Sequence, residues 1–238
     1  MANILALDTS TDACSVALHA NGESHEIFKV IPRKHTHELL PMVQEILSQA
    51  GLSVQQLDAI AFSRGPGSFA GLRIATGVAQ GLAFAADLPV VPVSTLAALA
   101  QGFFRSTETN DSSRSNTEVI TALDARMDEV YWASFIQENG FAKLSMIERV
   151  SSPSQVIIDD PSLNLDYAAV GSGFNYLESM PAETKDSLHL MNTEVHPHAI
   201  DILQLACEEY RKGNTVTAEN AQPVYLRNQV TWKKKDQQ

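Results

Sequence analysis

Cysteine is nearly absent from this chain. Its 238 residues include two, Cys14 and Cys207. That is too few for a disulfide framework or a zinc finger, and it fits a reducing, cytoplasmic setting. Basic residues are scarce as well: 17 Lys and Arg stand against 28 Asp and Glu, a net charge of −11. A free-standing nucleic-acid binder needs a basic footprint, and an anionic bilayer attracts one. Unaided RNA binding and membrane-surface binding are therefore not expected. Clean apolar runs are missing too. The start, MANILALDTS, has no basic stretch and predicts no signal peptide. The most apolar 20-residue window, Gly81 to Ala100, is broken by Asp87, Pro89 and Pro92, so it does not read as a membrane span. Arg105–Glu118 lacks any large apolar residue and reads as a surface loop or linker.

What is present is globular: 44% hydrophobic and 19% charged residues, at a length of one to two domains. The first hundred residues read βββαβαβα. Strands are expected at Asn3–Asp8, Ala13–Ala20 and Glu23–Ile31, the last two joined by Asn21-Gly22, a strong hairpin signal. A helix near Thr36–Ala50 ends at Gly51. A strand at Leu57–Ser63, a helix over Ser68–Ala86 with Ser68 as N-cap, a strand at Pro89–Val93 and a helix over Ser94–Phe104 follow. After the linker, strands are expected at Val119–Asp124, Glu129–Gln137 and Phe141–Val150. Val130, Trp132, Ser134 and Ile136 then share one face of the middle strand. Pro153–Ile158 reads as the start of a helix, Tyr167–Val170 as a strand, and Pro197–Lys212 as an amphipathic helix with Ile200, Leu203, Ala206 and Cys207 inward.

The halves echo one another. Ala6–Asp8 and Ala122–Asp124 both read ALD, and each is followed by a polar loop, an apolar strand and an Asn-Gly turn, at Asn21 and Asn139. The ordered series predicts internal duplication: an α/β chain of two βββαβα lobes facing a cleft. The divisions are residues 1–104 for the first lobe, 105–118 for the linker, 119–213 for a second, reduced lobe, and 214–238 for a tail packing back on the first.

Four stretches carry a family resemblance: ILALDTSTDACSVAL, RGPGSFAGLRIATGVAQGLA, ALDARMDEVYWA and PVYLRNQVTWKK. The chain resembles the TsaB (YeaZ) family over nearly its whole length. The resemblance implies the actin-like ATPase (ASKHA) fold and a non-catalytic subunit in tRNA threonylcarbamoyladenosine synthesis. It implies binding to a TsaD-like transferase, which moves the threonylcarbamoyl group to adenosine beside the anticodon. A TsaE-like ATPase joins the pair, and tRNA is reached through the complex, with Arg227, Lys233, Lys234 and Lys235 as minor contributors. It requires no cofactor of this chain, leaves ATP or ADP to the assembled complex, and implies cytoplasmic localisation.

TsaD-like transferases hold a metal with two histidines four residues apart on one helix face. Here Thr95 and Leu99 occupy those places, and neither is a transition-metal ligand. No catalytic residue and no metal site is therefore assigned. His35 and His37 fall about 200° apart on a helix, or on one face of a strand. His196 and His198 flank Pro197 and read as surface capping residues. Asp8, Thr9 and Ser10 end a strand and are the candidate nucleotide contacts, although Ser10 stands where actin-like ATPases usually place glycine. Arg64–Phe69 is a glycine-rich turn but not a P-loop, and Gly171-Ser172-Gly173 is a weak nucleotide signal. Cys14 and Cys207 read as core.

The helices suggest an interface. Gly67, Gly71, Ala75, Ala79 and Ala83 form one small-residue stripe and Gly77, Gly81 and Ala85 another. Glycine inside a helix costs about 1 kcal/mol, so close approach of another backbone is the expected compensation. On the first helix Leu39, Leu40, Met42, Val43, Ile46, Leu47 and Ala50 span about 160°, against about 100° for a surface helix. The candidate interface is therefore Leu39, Leu40, Met42, Val43, Ile46, Leu47, Gly71, Gly77 and Gly81. It would serve a TsaD-like partner or a second copy. The alternatives from another class are a glycoprotease-like metallopeptidase and an ATP-dependent phosphotransferase.

Overall fold

Ile4-Leu5-Ala6-Leu7 shows no polar alternation, the pattern of a strand covered on both faces. In the computed structural model, which describes residues 2–108, 117–158 and 166–227, β1 (Ile4–Asp8) is buried at every position. β2 (Ala13–Ala20) pairs antiparallel with it, and β3 (Glu23–Val30) with β2. β4 (Ala59–Gly65) and β5 (Val90–Ser94) continue the sheet in parallel, in the order β3-β2-β1-β4-β5. The second half repeats the design. β6 (Thr117–Arg126), β7 (Glu129–Glu138), β8 (Phe141–Ser151), β9 (Asp166–Val170) and β10 (Leu188–Asn192) form the order β8-β7-β6-β9-β10, with the same antiparallel and parallel pairings. Duplication is thus visible strand for strand. Both Asn-Gly turns adopt left-handed backbone, φ 55° and 84° at Asn21-Gly22 and 53° and 83° at Asn139-Gly140, the geometry that a two-residue hairpin loop needs.

Alternate residues of the first sheet serve different layers. Leu5, Leu7, Val16, Leu18, Ile60 and Phe62 face outward to α1 (His35–Ala50) and α2 (Phe69–Ala86). Ala6, Ala17, Ala59 and Ala61 face inward, and their small side chains let α5 (Ala199–Arg211) lie close against this sheet. α3 (Thr95–Glu108), which ends the first half, packs instead on the second sheet and on α5. The two halves therefore exchange their closing helices and share one inner core. Among the described residues no long helix covers the outer face of the second sheet. Phe174 and Met180, from the turns after β9, and Val156 close over Ile120, Val130 and Trp132 there.

Several expectations are corrected. α3 continues to Glu108 and β6 starts at Thr117, so the supposed linker is shorter at both ends; residues 109–116 lie outside the described residues. Pro153 starts only a 3-10 turn, Pro153–Gln155. α4 (Ala182–Ser187) and the edge strand β10 were not expected. Register shifts around Ser134 bury Phe135 and leave Ile136 exposed, ending the simple alternation along β7. On α5, Ala199, Ile202, Leu203 and Ala206 fill the core while Ile200 and Cys207 sit at its margin. The described tail packs back on the first sheet. Val216 exchanges two 2.8 Å backbone bonds with Val90, and Val224 N donates to Arg64 O at 2.7 Å.

Candidate interaction face and cleft

Asp8 and Asp124 hold matching places at the ends of β1 and β6. Each accepts a bond from the backbone N–H two residues on, Ser10 N to Asp8 Oδ1 at 3.2 Å and Arg126 N to Asp124 Oδ1 at 2.7 Å. Their surroundings differ. Asp8, Thr9 and Ser10 are 0, 0 and 1% exposed. Burial raises the Asp8 carboxyl to about 6, against the pull of the nearby Ser63 and Ser10 hydroxyls and of His35.

The loop after β1 is sealed by the start of α2. Thr9 Oγ1 donates to Gly71 O at 2.6 Å, and Ser68 N donates to Ser10 O at 2.8 Å. Glycine is required for this approach. A Cβ on Gly71 would lie 1.9 Å from Thr9 O, and one on Gly67 2.6 Å from Ser10 O. Ser68 caps α2, its Oγ accepting from Gly71 N at 3.3 Å. The N–H of Ser68, at the helix end where an anion would be met, is committed to the loop. The glycine-rich turn is thus a packing device. Gly171 and Gly173 act alike, since added Cβ atoms would meet Ala122 O at 2.3 Å and Ala122 Cβ at 2.6 Å. The nucleotide implied by an actin-like fold does not fit these residues: the side chains expected to touch it are enclosed in protein.

Thr95 and Leu99, in the places where the transferases carry histidines, are buried between the sheets. Among the described residues no group of three His, Cys, Asp or Glu side chains is placed to hold a metal. His35 and His37 lie on α1 as the helical reading requires, one buried with Nε2 3.1 Å from Ala13 O and the other exposed. His196 and His198 are corrected from surface caps to half-buried links. His198 Nδ1 lies 2.9 Å from Glu26 Oε2 and its ring stacks on Phe28 at 4.1 Å, while His196 Nδ1 lies 3.1 Å from Thr11 Oγ1. The Glu26 bond pushes His198 up, and burial pushes His196 down. The Cys14 thiol is raised by burial to about 12, and burial also raises Cys207, so neither is an activated nucleophile.

The candidate interface residues divide sharply. Leu39, Met42, Val43, Ile46 and Leu47 fill this chain's own outer core against the first sheet and α2. The wide apolar arc of α1 is thereby used up internally, because the helix sits in a niche with the sheet below and α2 beside it. Leu40 is the exception, 46% exposed. Gly71 is also internal, as described. Gly77 and Gly81 face outward, and among the described residues nothing lies within 4 Å of an added Cβ. With exposed Phe69, Arg73, Phe84 and Ala85 they form the outer stripe of α2, Phe84 being 75% exposed. α2 is also long and apolar enough to cross a membrane by composition, with a mean hydropathy of 1.3. Sequence reasoning found this stripe through its glycines but missed Phe69, Phe84 and Tyr225. A lone aromatic carries no period that marks it as exposed.

Comparison with known proteins gives the family and the fold. The family model "TsaD: tRNA N6-adenosine threonylcarbamoyltransferase" matches residues 28–238. The tRNA threonylcarbamoyladenosine biosynthesis protein TsaB of Escherichia coli (strain K12) is 45% identical over 97% of both chains. That of Haemophilus influenzae is 42% identical over 97% of this chain and 96% of its own. The solved structure of YeaZ from Pseudomonas aeruginosa superposes with a TM-score of 0.87 at 44% identity, covering 95% of this chain and all of that one. The duplicated sheets give the two-lobed actin-like fold, and the chain belongs to the TsaB (YeaZ) family, with a role in tRNA threonylcarbamoyladenosine biosynthesis.

Proposed function

We propose that the chain is a non-catalytic cytoplasmic subunit that binds and organises a TsaD-like transferase, with a TsaE-like ATPase joining the pair. The observation that carries this reading is the outer stripe of α2. Two internal glycines, each costing about 1 kcal/mol of helix stability, open onto space in which an added Cβ would meet nothing within 4 Å among the described residues. Flanking aromatics leave an apolar ridge open to solvent, and exposed apolar surface of this kind marks a protein contact. The match to the transferase family model supports a partner of the same fold, offering an equivalent helix. Buried Thr95 and Leu99 support transfer chemistry on the partner rather than here. The tRNA is met through the complex: Arg227 is occupied internally, and Lys233, Lys234 and Lys235 lie outside the described residues. Self-association through the same stripe is the resting state that the partner displaces.

The test is light scattering after size exclusion, on this chain alone and mixed with the TsaD-like protein of the same organism. A new 1:1 species is expected. Gly81→Leu should abolish it while leaving the chain folded, because the added side chain meets open space. A Gly81→Leu variant that still forms the complex would remove α2 from the interface, and no complex with wild type would overturn the subunit reading.

A further inference from the structure

We propose that the C-terminal segment Tyr225–Arg227 clamps the turn between β6 and β7 into a partner-contact surface continuous with the outer stripe of α2. Its occupant is the same transferase subunit. The identity of that partner rests on the docking reading above; the location rests on separate residues.

The turn holds Arg126, Met127 and Asp128 in succession at φ 62°, 59° and 57°. Side-chain-bearing residues visit this left-handed region singly and seldom in runs. The two-residue hairpin loop itself calls for left-handed backbone at Met127 and Asp128, but the loop carries no glycine and Arg126, at a register shift, adds a third such residue before it; Arg227 is placed to hold the three together. Its Nη2 donates to Ala125 O at 3.2 Å and Arg126 O at 3.3 Å, its guanidinium pairs with the Glu129 carboxylate, and Nη1 lies 3.6 Å from Met127 Sδ. A planar guanidinium can meet several acceptors at once, which a lysine ammonium does not reproduce. The segment is anchored in turn. Val224 N donates to Arg64 O, the Tyr225 ring lies 5.4 Å from that of Phe69, and the Tyr225 hydroxyl accepts from Arg73 Nε at 3.2 Å. Arg73 also stacks over Phe69 at 3.9 Å. Contacts thus run unbroken from the start of α2, on the first sheet, to the turn on the second.

The outcome is an exposed group of Phe69, Arg73, Tyr225 and Met127, with Met127 54% exposed at the tip. Aromatic residues, methionine and arginine are the types enriched at protein interfaces. Backbone held in a costly conformation clusters at functional positions. Area points the same way. A standard interface covers about 800 Å² per partner, more than the stripe of one helix roughly 27 Å long provides. A subunit seated on α2 needs further ground, and this surface adjoins it.

The experiment is calorimetric titration of the TsaD-like subunit into the full chain and its variants, with hydrogen exchange of residues 124–130 in the free chain. Met127→Asp should weaken binding at least ten-fold, while Met127→Leu retains it. Arg227→Ala should quicken exchange in the turn and weaken binding as well. Wild-type affinity in Met127→Asp, or unchanged exchange in Arg227→Ala, overturns the clamp. Loss of self-association alone in Met127→Asp reassigns the surface to a second copy and overturns the stated occupant. The two readings separate cleanly: if wild type does not bind, the docking reading fails, whereas loss in Gly81→Leu without loss in Met127→Asp removes only the clamp surface.

Discussion

Asp8 is a carboxylate enclosed by protein, with Oδ1 bonded to Ser10 N and Oδ2 without a hydrogen-bond partner among the described residues. The hydroxyl oxygens of Ser10 and Ser63 are equally unpartnered there. A raised carboxyl in the folded state means that the fold keeps a proton that the unfolded chain has already released. Stability should therefore fall as pH rises from about 4 to about 6, and stay low above that. A shift of this size corresponds to about 3 kcal/mol. Asp8→Asn removes the charge, keeps an oxygen for Ser10 N, and supplies an amide donor toward the two hydroxyls. Urea unfolding at pH 8 should show the variant more stable by roughly 1–3 kcal/mol, with a smaller decline between pH 4 and 6 than in the wild type. Equal stability at pH 8 would show that Asp8 is already relieved of its charge. At the same scale, glycine identity separates roles that sequence leaves merged. Gly71 is fixed by contact with Thr9, whereas a Cβ added at Gly81 would meet nothing within 4 Å among the described residues.

Elements show how far local signals reach. The turns at Asn21 and Asn139, the Ser68 cap and the left-handed Gly51 after α1 follow from local chemistry and appear where the sequence places them. α1 runs through Pro41, whose missing N–H would have bonded the exposed His37 carbonyl, a group that water can serve. What α1 packs against was not legible, since a wide apolar arc is equally suited to a partner or to a niche within the chain. The closing helices make the same point. Asp201 on α5, almost fully buried, accepts from Arg105 of α3 at 2.7 and 3.0 Å, and Gly102 leaves room for its carboxylate. Nothing in sequence pairs residues 96 positions apart. Burial raises the Asp201 carboxyl despite Arg105, and removing Arg105 would leave a buried charge uncompensated. Arg105→Ala should cost about 2–4 kcal/mol near neutral pH, with the arginine half-exposed and the aspartate buried. The deficit should shrink in acid as Asp201 takes up a proton, which unfolding curves at two pH values would reveal. A pH-independent cost would assign the effect to lost packing.

At the scale of the whole molecule, the two halves do not divide into separate bodies. Their shared core joins Ile4, Ala61 and Val93 of the first sheet to Val119, Phe135 and Val170 of the second through α3 and α5. Arg64 and Glu148 add a link at 3.1 Å between β4 and β8. Cutting near residue 108 would strip each sheet of the helix that covers its inner face. Calorimetry should accordingly show one transition, with equal van't Hoff and calorimetric enthalpies; two resolved transitions would show independent lobes.

Sequence by itself determined every described strand but β10, the hairpin turns, the main helix ends and the duplication, because each rests on short-range periodicity and on residues tolerant of left-handed backbone. Its family motifs also determined membership. Only the tertiary structure decided which apolar faces stay open. It folded the arc of α1 inward and left Gly77, Gly81 and Phe84 outside. It also enclosed Asp8, Thr9 and Ser10 beneath α2, and it brought Arg227 to a turn about a hundred residues earlier in the chain. The physical reason is that burial is a sum over neighbours distant along the chain, and no local pattern records where those neighbours come to rest.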